Sequence, residues 1–492
     1  MIRIRTFALG PIALLSLLFP TLSIADHPKH DGKMAVFGTL HAHSVLSGDV
    51  KDEDGFTPME AFDYARENGL DFLGISDHHK PTGAPGGSKF HMATTTYKQK
   101  LVAVADQVNT AHAGKFVAIP GIEWGTVATG NHINIFGATT LPPDTIDDDD
   151  YKELYAWIGS NARFAQWNHP YGWGDKSNRN KDVGNYGKDL YDSTAQFVAA
   201  ANPSVQLMSI ICTVFGGHIN GALAESEDKT HRDVKTTALN IYKRHLDMGF
   251  HLSPAGSQDT HRVNPGTVTA ARTGVWVDAL SLDGITEGFK ANRTFATEDD
   301  ELAVALQVEY DGNTYWMGDT VPLKEEQAEV TVVLHVSQAK GSDNDSKSEG
   351  PYTARLFSDQ DGIGGGKAAE WIAEEIPANT KVKKFTVPVI AGEYFYFQIT
   401  EQNGKDNRLG DGDDETGPDG TGDPDGFRDD LNDEAWTSPI WFELVAAPSG
   451  FVWSKNSSIF HDPDCWAVKR ISDHNRKEGV APDGKTKHDC HP

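Results

Sequence analysis

The hydrophobic residues up to about position 300 form short runs separated by segments with helical periodicity. Six runs are apolar enough for buried strands, and they cover 36–40, 70–76, 116–122, 163–167, 205–211 and 252–256. Between the first two runs, Thr57 suits a helix N-cap and Pro58 suits the first helical position. Glu60 completes a capping box with Thr57, and Gly69 can end the helix. This alternation predicts an α/β barrel or a doubly wound sheet.

Beyond residue 300 the hydrophobic pattern changes to a period of two. Alternating apolar residues mark strands at 302–310 and 330–336, and further strand-like runs lie at 394–399 and 440–445. A period of two with no helical segment is typical of an antiparallel β-domain. We therefore predict a β-sandwich in this part of the chain.

The chain of 492 residues is too long for one ordinary core and favours two or three domains. We divide it into a signal peptide, a linker, a barrel, a β-rich domain and a small tail that contains Cys and His. The predicted ranges are 1–25, 26–36, 37–300, 301–447 and 448–492.

The first 25 residues have the features of a secretory signal peptide. Arg3 and Arg5 precede an apolar run over 7–19, and the small residues Ser23 and Ala25 suit cleavage before residue 26. An uncleaved anchor is the alternative, but the run is short for one. No later stretch approaches the roughly 18 apolar residues that span a bilayer. We expect a periplasmic or secreted protein with no transmembrane segment after cleavage.

The charge is strongly negative, with 44 basic and 71 acidic residues and a formal net charge of −27. This balance disfavours strong binding to nucleic acid or to anionic lipid. Segment 401–435 alone holds thirteen acidic and three basic residues. It is either a solvated acidic loop or a calcium site, although Glu415 and Thr416 interrupt the spacing of an EF-hand.

Three cysteines are too few for a disulfide scaffold in so long a chain. Cys465 and Cys490 lie in the tail, where a disulfide is the simpler interpretation in an oxidising compartment. A zinc site completed by tail histidines is the alternative. Cys212 lies alone in an apolar segment and suits a buried thiol.

Imidazoles and carboxylates follow five of the predicted strands. They occur in His41-Ala42-His43, in Asp77-His78-His79, at Glu123 with His132 nearby, in His169-Pro170 and in Asp259-Thr260-His261. Residues i and i+2 of a strand point to one side, and the strand ends of an α/β barrel converge on one face. A single histidine there is ordinary, but five recurrences indicate a site for zinc, manganese or iron, in which a carboxylate can bridge two ions.

The order of these motifs resembles the PHP (polymerase and histidinol phosphatase) superfamily of metal-dependent phosphoesterases over about residues 37–300. The similar strings are Gly38-Thr39-Leu40-His41-Ala42-His43-Ser44, Gly74-Ile75-Ser76-Asp77-His78, Gly121-Ile122-Glu123 and Gly256-Ser257-Gln258-Asp259-Thr260-His261. Arg293-Thr294-Phe295-Ala296-Thr297 and the β-domain after it resemble the branch that includes carbaryl hydrolases. The resemblance implies a distorted seven-stranded (β/α)7 PHP-type barrel with a bi- or trinuclear site.

Carried over residue by residue, the resemblance implies three ion sites. His41, His43, Glu123 and Asp259 would bind the first ion, and Glu123 would bridge to a second ion held also by His132 and His169. His78, His261 and Asp49 would bind a third ion. Two departures bear on the site: Gly48-Asp49 stands where Asp-Gly is common, and Thr39 stands where Asp is frequent.

These observations predict an exported hydrolase that cleaves phosphate mono- or diesters of small molecules with a metal-activated water. Auxiliary roles are assigned to Asp77 or His79 in proton transfer, to Arg262 or Arg293 in phosphate contact, and to His218 in the pocket wall; each of these residues also has a purely structural interpretation. A carboxylester or carbamate hydrolase that uses the same ions is the nearest alternative. A third class is a non-catalytic surface or binding protein that depends on calcium.

Overall fold

The computed structural model describes most of the chain from residue 27 onward. The described ranges are 27–51, 55–84, 87–125, 132–147, 150–169, 194–212, 239, 241–267, 271–299, 302–338, 351–358, 369–377, 380–401, 434–445, 451–454, 459–461, 471, 475–479 and 486–487. The predicted signal peptide, His218, Cys465, Cys490 and nearly all of the acidic segment 401–435 lie outside these ranges, so those predictions stay predictions.

Among the residues described between 27 and 299, the structure has ten strands. They are β1 (Lys29–His30), β2 (Lys33–Ala42), β3 (Phe72–His79), β4 (Val117–Trp124), β5 (Ile133–Phe136), β6 (Phe164–Trp167), β7 (Leu207–Cys212), β8 (Ser253–Ser257), β9 (Arg272–Val277) and β10 (Thr294–Thr297).

The helices that the structure describes lie in the same part of the chain. They are α1 (Pro58–Glu67), α2 (Gly87–Phe90), α3 (Thr94–Thr96), a π-helical segment (Tyr97–Val102), α4 (Ala103–Ala111), α5 (Tyr151–Asn161), α6 (Thr194–Ala201), a helix over 241–247 and α7 (Leu282–Lys290). The capping box predicted at Thr57 and Glu60 is present at the start of α1.

Strands β2 to β8 form a closed barrel of seven strands. Neighbours in sequence pair in the order β2-β3-β4-β5-β6-β7-β8. A parallel bridge between Ala42 and Thr260 brings the end of β8 back to β2, and the His43 amide donates to the Thr260 carbonyl at 2.8 Å. The distorted seven-stranded α/β barrel implied by the family resemblance is therefore confirmed, and the doubly wound sheet that the hydrophobic pattern had left open is excluded.

The barrel is distorted because β5 runs opposite to its neighbours. β5 pairs antiparallel with both β4 and β6, whereas the pairs β2–β3, β3–β4, β6–β7 and β7–β8 are parallel. The hydrophobic pattern did not predict β5 or β9. It also placed a linker at 26–36, where the chain already forms β1 and the start of β2.

A separate apolar core fills the barrel. Phe72, Val117, Phe164 and Leu207 lie at the amino ends of their strands and pack with Phe289 of α7. The Phe289 ring centre lies 4.7 Å from that of Phe164. Apolar side chains thus fill the amino end of the barrel. The polar side chains described in the next section lie at the carboxyl end.

The second part of the chain is built only of strands among the residues described over 302–445. They are β11 (Leu302–Tyr310), β12 (Asn313–Trp316), β13 (Thr320–Leu323), β14 (Gln327–Gln338), β15 (Tyr352–Ser358), β16 (Ala369–Ile376), β17 (Val382–Ile390), β18 (Tyr394–Glu401), β19 (Glu434–Thr437) and β20 (Ile440–Leu444). The sheet β12-β11-β14-β17 shares one core with β13, β15, β18, β19 and β20. The tail adds β21 (Phe451–Ser454), β22 (Ile459–Phe460), β23 (Arg476–Gly479) and β24 (Thr486–Lys487).

The two parts are joined by a continuous sheet and a common core. β10 pairs with β9 on one side and with β19 on the other. Ala35, Phe37 and Trp276 of the first part pack in the same core as β11 and β14. The β-rich part therefore supports the barrel from the side of β2, β9 and β10.

Candidate metal centre

All nine metal ligands predicted from the sequence lie together at the carboxyl end of the barrel. β2 carries His41 at its end and His43 just beyond it, β3 carries His78, and β4 carries Glu123. The remaining members are Asp49, His132, His169, Asp259 and His261, which lie in the segments between strands. His41, His43, Glu123, His132, His169 and Asp259 are buried.

His132 reaches this end of the barrel because β5 is antiparallel. It precedes β5, and the first residues of an antiparallel strand lie beside the last residues of the parallel strand next to it. Glu123 accordingly faces Asn134 in the β4–β5 register. The His132 Nδ1 lies 2.8 Å from Glu123 Oε1.

Glu123 lies at the centre of the cluster, and its two oxygens face different imidazoles. Oε1 lies 3.2 Å from Nε2 of His41 and 3.2 Å from Nε2 of His169, in addition to its contact with His132. Oε2 lies 3.2 Å from His43 Nε2 and 3.1 Å from His78 Nδ1. A buried carboxylate that faces two sets of imidazoles could, together with those imidazoles, hold two divalent ions.

Asp259 is the second buried carboxylate of the cluster and contacts both histidines of the His41-Ala42-His43 motif. Its Oδ1 is 3.0 Å from His41 Nε2 and 3.1 Å from His43 Nε2. Its backbone has a φ of 48°, which is uncommon for a residue with a side chain and occurs often at functional sites.

Asp49 joins a third group of ligands with His78 and His261. Its Oδ2 lies 3.0 Å from His78 Nε2 and 3.3 Å from His261 Nε2. The inverted pair Gly48-Asp49 has a local reason: a Cβ on residue 48 would lie 2.1 Å from the carbonyl oxygen of Lys89. Because Gly48 has no side chain, the segment around α2 can pack directly against the loop that carries Asp49. The Asp49 carboxylate then lies beside His78 and His261.

The donor set fits divalent metal ions. Three groups have ligand atoms within 4.8 Å of one another: His43, Asp49, His78 and His261; His41, His43, Glu123 and Asp259; and His78, Glu123 and His132. His132 Nε2 and His169 Nδ1 are buried without a hydrogen-bond partner among the described residues. Mixed imidazole and carboxylate ligands suit zinc, manganese and iron.

The electrostatics of the cluster keep its acids ionised. Burial raises the pKa of Glu123, but the nearby His132 and His41 outweigh burial and hold it well below the usual range. The pKa of Asp259 is also held well below its usual range, because His41 and His43 outweigh the effect of burial. Burial lowers the pKa of His43, whereas hydrogen bonds to Asp259 and Glu123 raise it to about 10 overall. The carboxylates thus supply fixed negative charge for cations.

Ser47 sets the tautomer of His43. The Ser47 hydroxyl donates to Asp49 Oδ1 at 2.8 Å, so its oxygen accepts from His43 Nδ1 at 3.0 Å. The Nε2 of His43, which faces Glu123 and Asp259, therefore carries the lone pair when the ring is neutral.

Asp77 and His79 point away from the cluster, because they alternate with His78 along β3. Asp77 accepts from the Ser44 amide at 2.6 Å and from the Ser44 hydroxyl at 2.7 Å. The Nδ1 of His79 accepts from the Met92 amide at 3.2 Å. Asp77 thus positions the turn after His43, and the His79 ring packs against His91 and Trp124. The role in proton transfer expected for either residue stays a prediction.

His79 also lies near His91 and Asp144, with ligand atoms within 4.8 Å. Because His79 Nδ1 accepts a hydrogen bond, its Nε2 carries the proton in the neutral ring. That protonation does not suit a metal ligand at Nε2. This smaller group is better explained as a hydrogen-bonded polar cluster.

Arg293 is not at the site. Its guanidinium pairs with Asp319 at 2.6 Å and donates to the Met317 carbonyl. Its own carbonyl accepts from Trp276, which pairs with Ala35, roughly 20 Å along β2 from His41. The phosphate contact proposed for Arg293 is therefore wrong, and the residue joins the two parts of the molecule. Arg262 follows His261 directly and is exposed, so it keeps its proposed role.

Several polar residues at the site were missed from the sequence. Asn168 donates to Glu123 Oε1 at 2.9 Å, and Gln166 and Asn134 bond to Asn168. Asn168 precedes His169 directly, and this adjacency was the only sequence signal available for it. The role of Ser47 depends on the folding of its loop.

No family model and no curated protein matches the chain. Several solved structures are similar to it, and three of them are described below. One is a two-domain protein from Bacteroides vulgatus ATCC 8482 that contains a predicted PHP-like metal-dependent phosphoesterase: identity is 15%, the TM-score is 0.38, and the match covers 77% of this chain and 94% of that one.

The second is PsfC from Pseudomonas syringae PB-5123, with 15% identity, a TM-score of 0.28, and coverage of 49% of this chain and 82% of that one. The third is a candidate metal-dependent phosphoesterase from Bifidobacterium adolescentis ATCC 15703, with 12% identity, a TM-score of 0.24, and coverage of 45% and 87%. Two of these proteins carry the description that the motifs suggested. At such TM-scores the similarities establish no activity for this chain, and none of the three bears on the carbaryl hydrolase branch.

Proposed function

We propose that this protein is an exported metal-dependent phosphoesterase that hydrolyses phosphate mono- or diesters of small molecules. The observation that carries the proposal is Glu123, whose two oxygens face two different sets of buried imidazoles. When bound, divalent ions in such a site supply polarisation of the ester and a water activated near neutral pH.

The cationic side chains near the cluster support a phosphate substrate. Phe90 lies against His78, with ring centres 5.0 Å apart, and the ammonium groups of Lys80 and Lys89 lie 5.1 and 4.7 Å from the Phe90 ring centre. Added together, these distances place each ammonium group no farther than about 10 Å from the His78 ring centre, and the exposed Arg262 directly follows His261. Such groups can bind and orient an anionic ester before hydrolysis.

Export is proposed from the amino-terminal sequence. In the described part of the chain, the helices are all too short or too polar to cross a membrane. Cell fractionation of the full-length protein, with amino-terminal sequencing of the exported form, tests export; mature protein that begins near residue 26 is expected, and a full-length cytoplasmic product would contradict it.

The activity is tested with purified residues 26–492 loaded with Mn²⁺ or Zn²⁺. Aryl phosphate monoester, phosphodiester and carboxylester substrates would be compared, each with and without a chelator. His41→Ala removes an imidazole shared by Glu123 and Asp259 and is expected to lower activity by at least about 100-fold. His112→Ala, at the end of α4 and outside the cluster, is the matched control.

The outcomes separate the candidate functions. Metal-dependent cleavage of a phosphate ester would support the proposal and identify the class of ester. Cleavage of the carboxylester alone would favour the carboxylester or carbamate hydrolase. If the metal-loaded protein cleaved no ester, and His41→Ala behaved like His112→Ala, the proposal would be rejected.

A further inference from the structure

Asn168 contacts the central carboxylate of the cluster through a fully buried amide. Its Nδ2 donates to Glu123 Oε1 at 2.9 Å, the same oxygen that faces His132 and His169. Asn168 follows β6 directly, and its solvent exposure is 0%. A buried donor on a carboxylate stabilises the orientation of that carboxylate as well as its charge.

Neighbouring amides fix the orientation of Asn168. Its second Nδ2 hydrogen goes to Asn134 Oδ1 at 2.7 Å, and its Oδ1 accepts from Gln166 Nε2 at 2.9 Å. Asn134 in turn donates to the Leu40 carbonyl at 2.9 Å, next to His41 on β2. Rotation of the Asn168 amide by 180° would place its oxygen against both Glu123 and Asn134. The network therefore permits one orientation, with the donor toward Glu123.

The backbone of His169 brings two adjacent side chains to the same oxygen. Consecutive residues in an extended strand point to opposite faces. His169 instead has a φ of 28°, in the left-handed direction, and its Nε2 lies 3.2 Å from the oxygen that Asn168 contacts. A non-glycine residue in this conformation is uncommon and is retained where the surroundings require it.

We propose that Asn168 is a positioning residue for a pair of divalent ions held by Glu123. Its hydrogen bond occupies one lone pair of Oε1 and holds the carboxylate plane, so that the other lone pairs face the two sets of histidines. Because the amide is neutral, Glu123 keeps its full negative charge for binding the ions. An arginine or lysine at this position would neutralise part of that charge. This inference rests on the metal centre of the proposed function, but not on the ester that is cleaved.

The test compares Asn168→Ala with Asn109→Ala in residues 26–492. Asn109 is the matched control. Its amide makes two hydrogen bonds to Ala118 of β4, the strand that also carries Glu123, but Asn109 itself lies on α4, away from the cluster. Mn²⁺ affinity would be measured by competition with a chelator, and exchange coupling between two Mn²⁺ ions by electron paramagnetic resonance. We expect Asn168→Ala to weaken the binding of at least one ion by about 10- to 100-fold and to reduce the coupled signal. Asn109→Ala is expected to lower the melting temperature of the metal-free protein and to leave both readouts unchanged.

A second variant covers the case in which Asn168→Ala does not fold. Gln166→Met keeps the bulk of residue 166 but removes the donor that holds the Asn168 amide, so a smaller loss of affinity in the same direction is expected. In the double variant the losses should not add, because both residues act through one contact.

Two results would overturn the inference while the metal centre survives. One is wild-type Mn²⁺ affinity and coupling in folded Asn168→Ala; the other is an equal loss in Asn109→Ala, which would show a general effect of stability. If the unmodified protein bound no divalent ion, the metal centre and the proposed function would fail together. If it bound two ions and cleaved no ester, only the proposed function would fail.

Discussion

At the scale of single residues, the chemistry of the cluster depends on which atom each side chain presents. His78 contacts Glu123 and Asp49, whereas the next residue, His79, faces Met92 and His91 on the other side of the strand. Identical residue types in adjacent positions thus have different roles. The alternation of side chains along a strand is the reason.

Asp49→Asn tests the third group of ligands. The carboxylate lies between His78 and His261, and an amide is a much weaker ligand for a divalent ion. We expect one ion fewer per chain, with the two ions near Glu123 retained. Metal content after dialysis measures this by mass spectrometry, with the exposed Asp278→Asn as the control. Equal metal content in both variants would exclude a third site at Asp49.

Arg293→Met tests the corrected role of Arg293. The guanidinium binds Asp319 and the carbonyl groups of Trp316 and Met317, so its loss should lower the free energy of unfolding by about 1–3 kcal/mol. Because Arg293 is remote from the cluster, KM for a phosphate ester should not change. Urea unfolding and steady-state kinetics measure the two quantities, and a rise of KM by tenfold or more with stability intact would restore Arg293 to the site.

At the scale of elements, the cluster is assembled by strand ends and by the turns that follow them. β2, β3 and β4 bring their last residues to one face, and antiparallel β5 brings its first residues to the same face. Asp77 then ties β3 to the turn after His43 through the Ser44 amide and hydroxyl. Burial raises the pKa of Asp77, and the nearby His43 together with the hydrogen bonds from Ser44 opposes that rise only in part.

Asp77→Ala should loosen the turn that carries His43. The change leaves the buried Ser44 amide without its acceptor, which costs about 2–3 kcal/mol of unfolding free energy. We also expect weaker metal binding, since His43 follows β2 directly. Chemical denaturation and Mn²⁺ titration check the two effects. Ser44→Ala, which removes only one of the two hydrogen bonds, should give a smaller loss of stability; a larger loss would contradict the role assigned to Asp77.

At the scale of the whole molecule, the amino-terminal residues and the β-rich part hold the barrel in a fixed position. His27 pairs with the buried Asp71 at 2.8 Å. The His30 ring lies against His335 of β14, with ring centres 3.6 Å apart. His335 Nε2 contacts Gln307 of β11 at 2.9 Å, and Gln307 donates to Asp31 at 2.7 Å. The segment around His27 to Asp31 thus forms a polar junction with the second part.

This junction predicts a loss of stability in acid. Burial and the neighbouring His30 and Lys384 lower the pKa of His335 to about 4, although Asp31 and Glu309 oppose the shift. The ordinary value is 6.5, so the unfolded chain binds this proton more readily than the folded chain. The contribution to stability is therefore complete above pH 6.5 and is lost as the pH falls from 6.5 to 4.

The comparison of wild type with His335→Gln isolates this group. Gln keeps a hydrogen-bonding partner for Gln307 and does not titrate. Between pH 7 and pH 4 the wild type should lose about 2 kcal/mol more unfolding free energy than the variant, allowing for solvent near the ring. Denaturant unfolding at several pH values measures the difference. Equal losses in both proteins would show that His335 does not contribute.

The choice of a seven-stranded barrel over a doubly wound sheet came from the resemblance to the PHP superfamily. The sequence pattern itself was sufficient to predict an α/β fold, the capping box of α1 and the gathering of imidazoles and carboxylates after the strands. These features depend on local periodicity and on residue types at strand ends, which one stretch of chain displays. His41 and His43, for example, are two residues apart, so side-chain alternation along an extended chain puts both on one side at the end of β2.

Only the tertiary structure decided how these residues are used. The sense of β5, the contacts of Asn168 and the placement of Arg293 far from the cluster depend on segments that are distant in the chain. The hydrophobic pattern of a strand is the same whether the strand is parallel or antiparallel to its neighbours. The groups that an arginine side chain contacts are known only once the surrounding segments are placed. The sequence therefore determined which chemical groups gather at the carboxyl end of the barrel, and the tertiary structure decided which of them face Glu123, because that depends on the relative positions of distant segments.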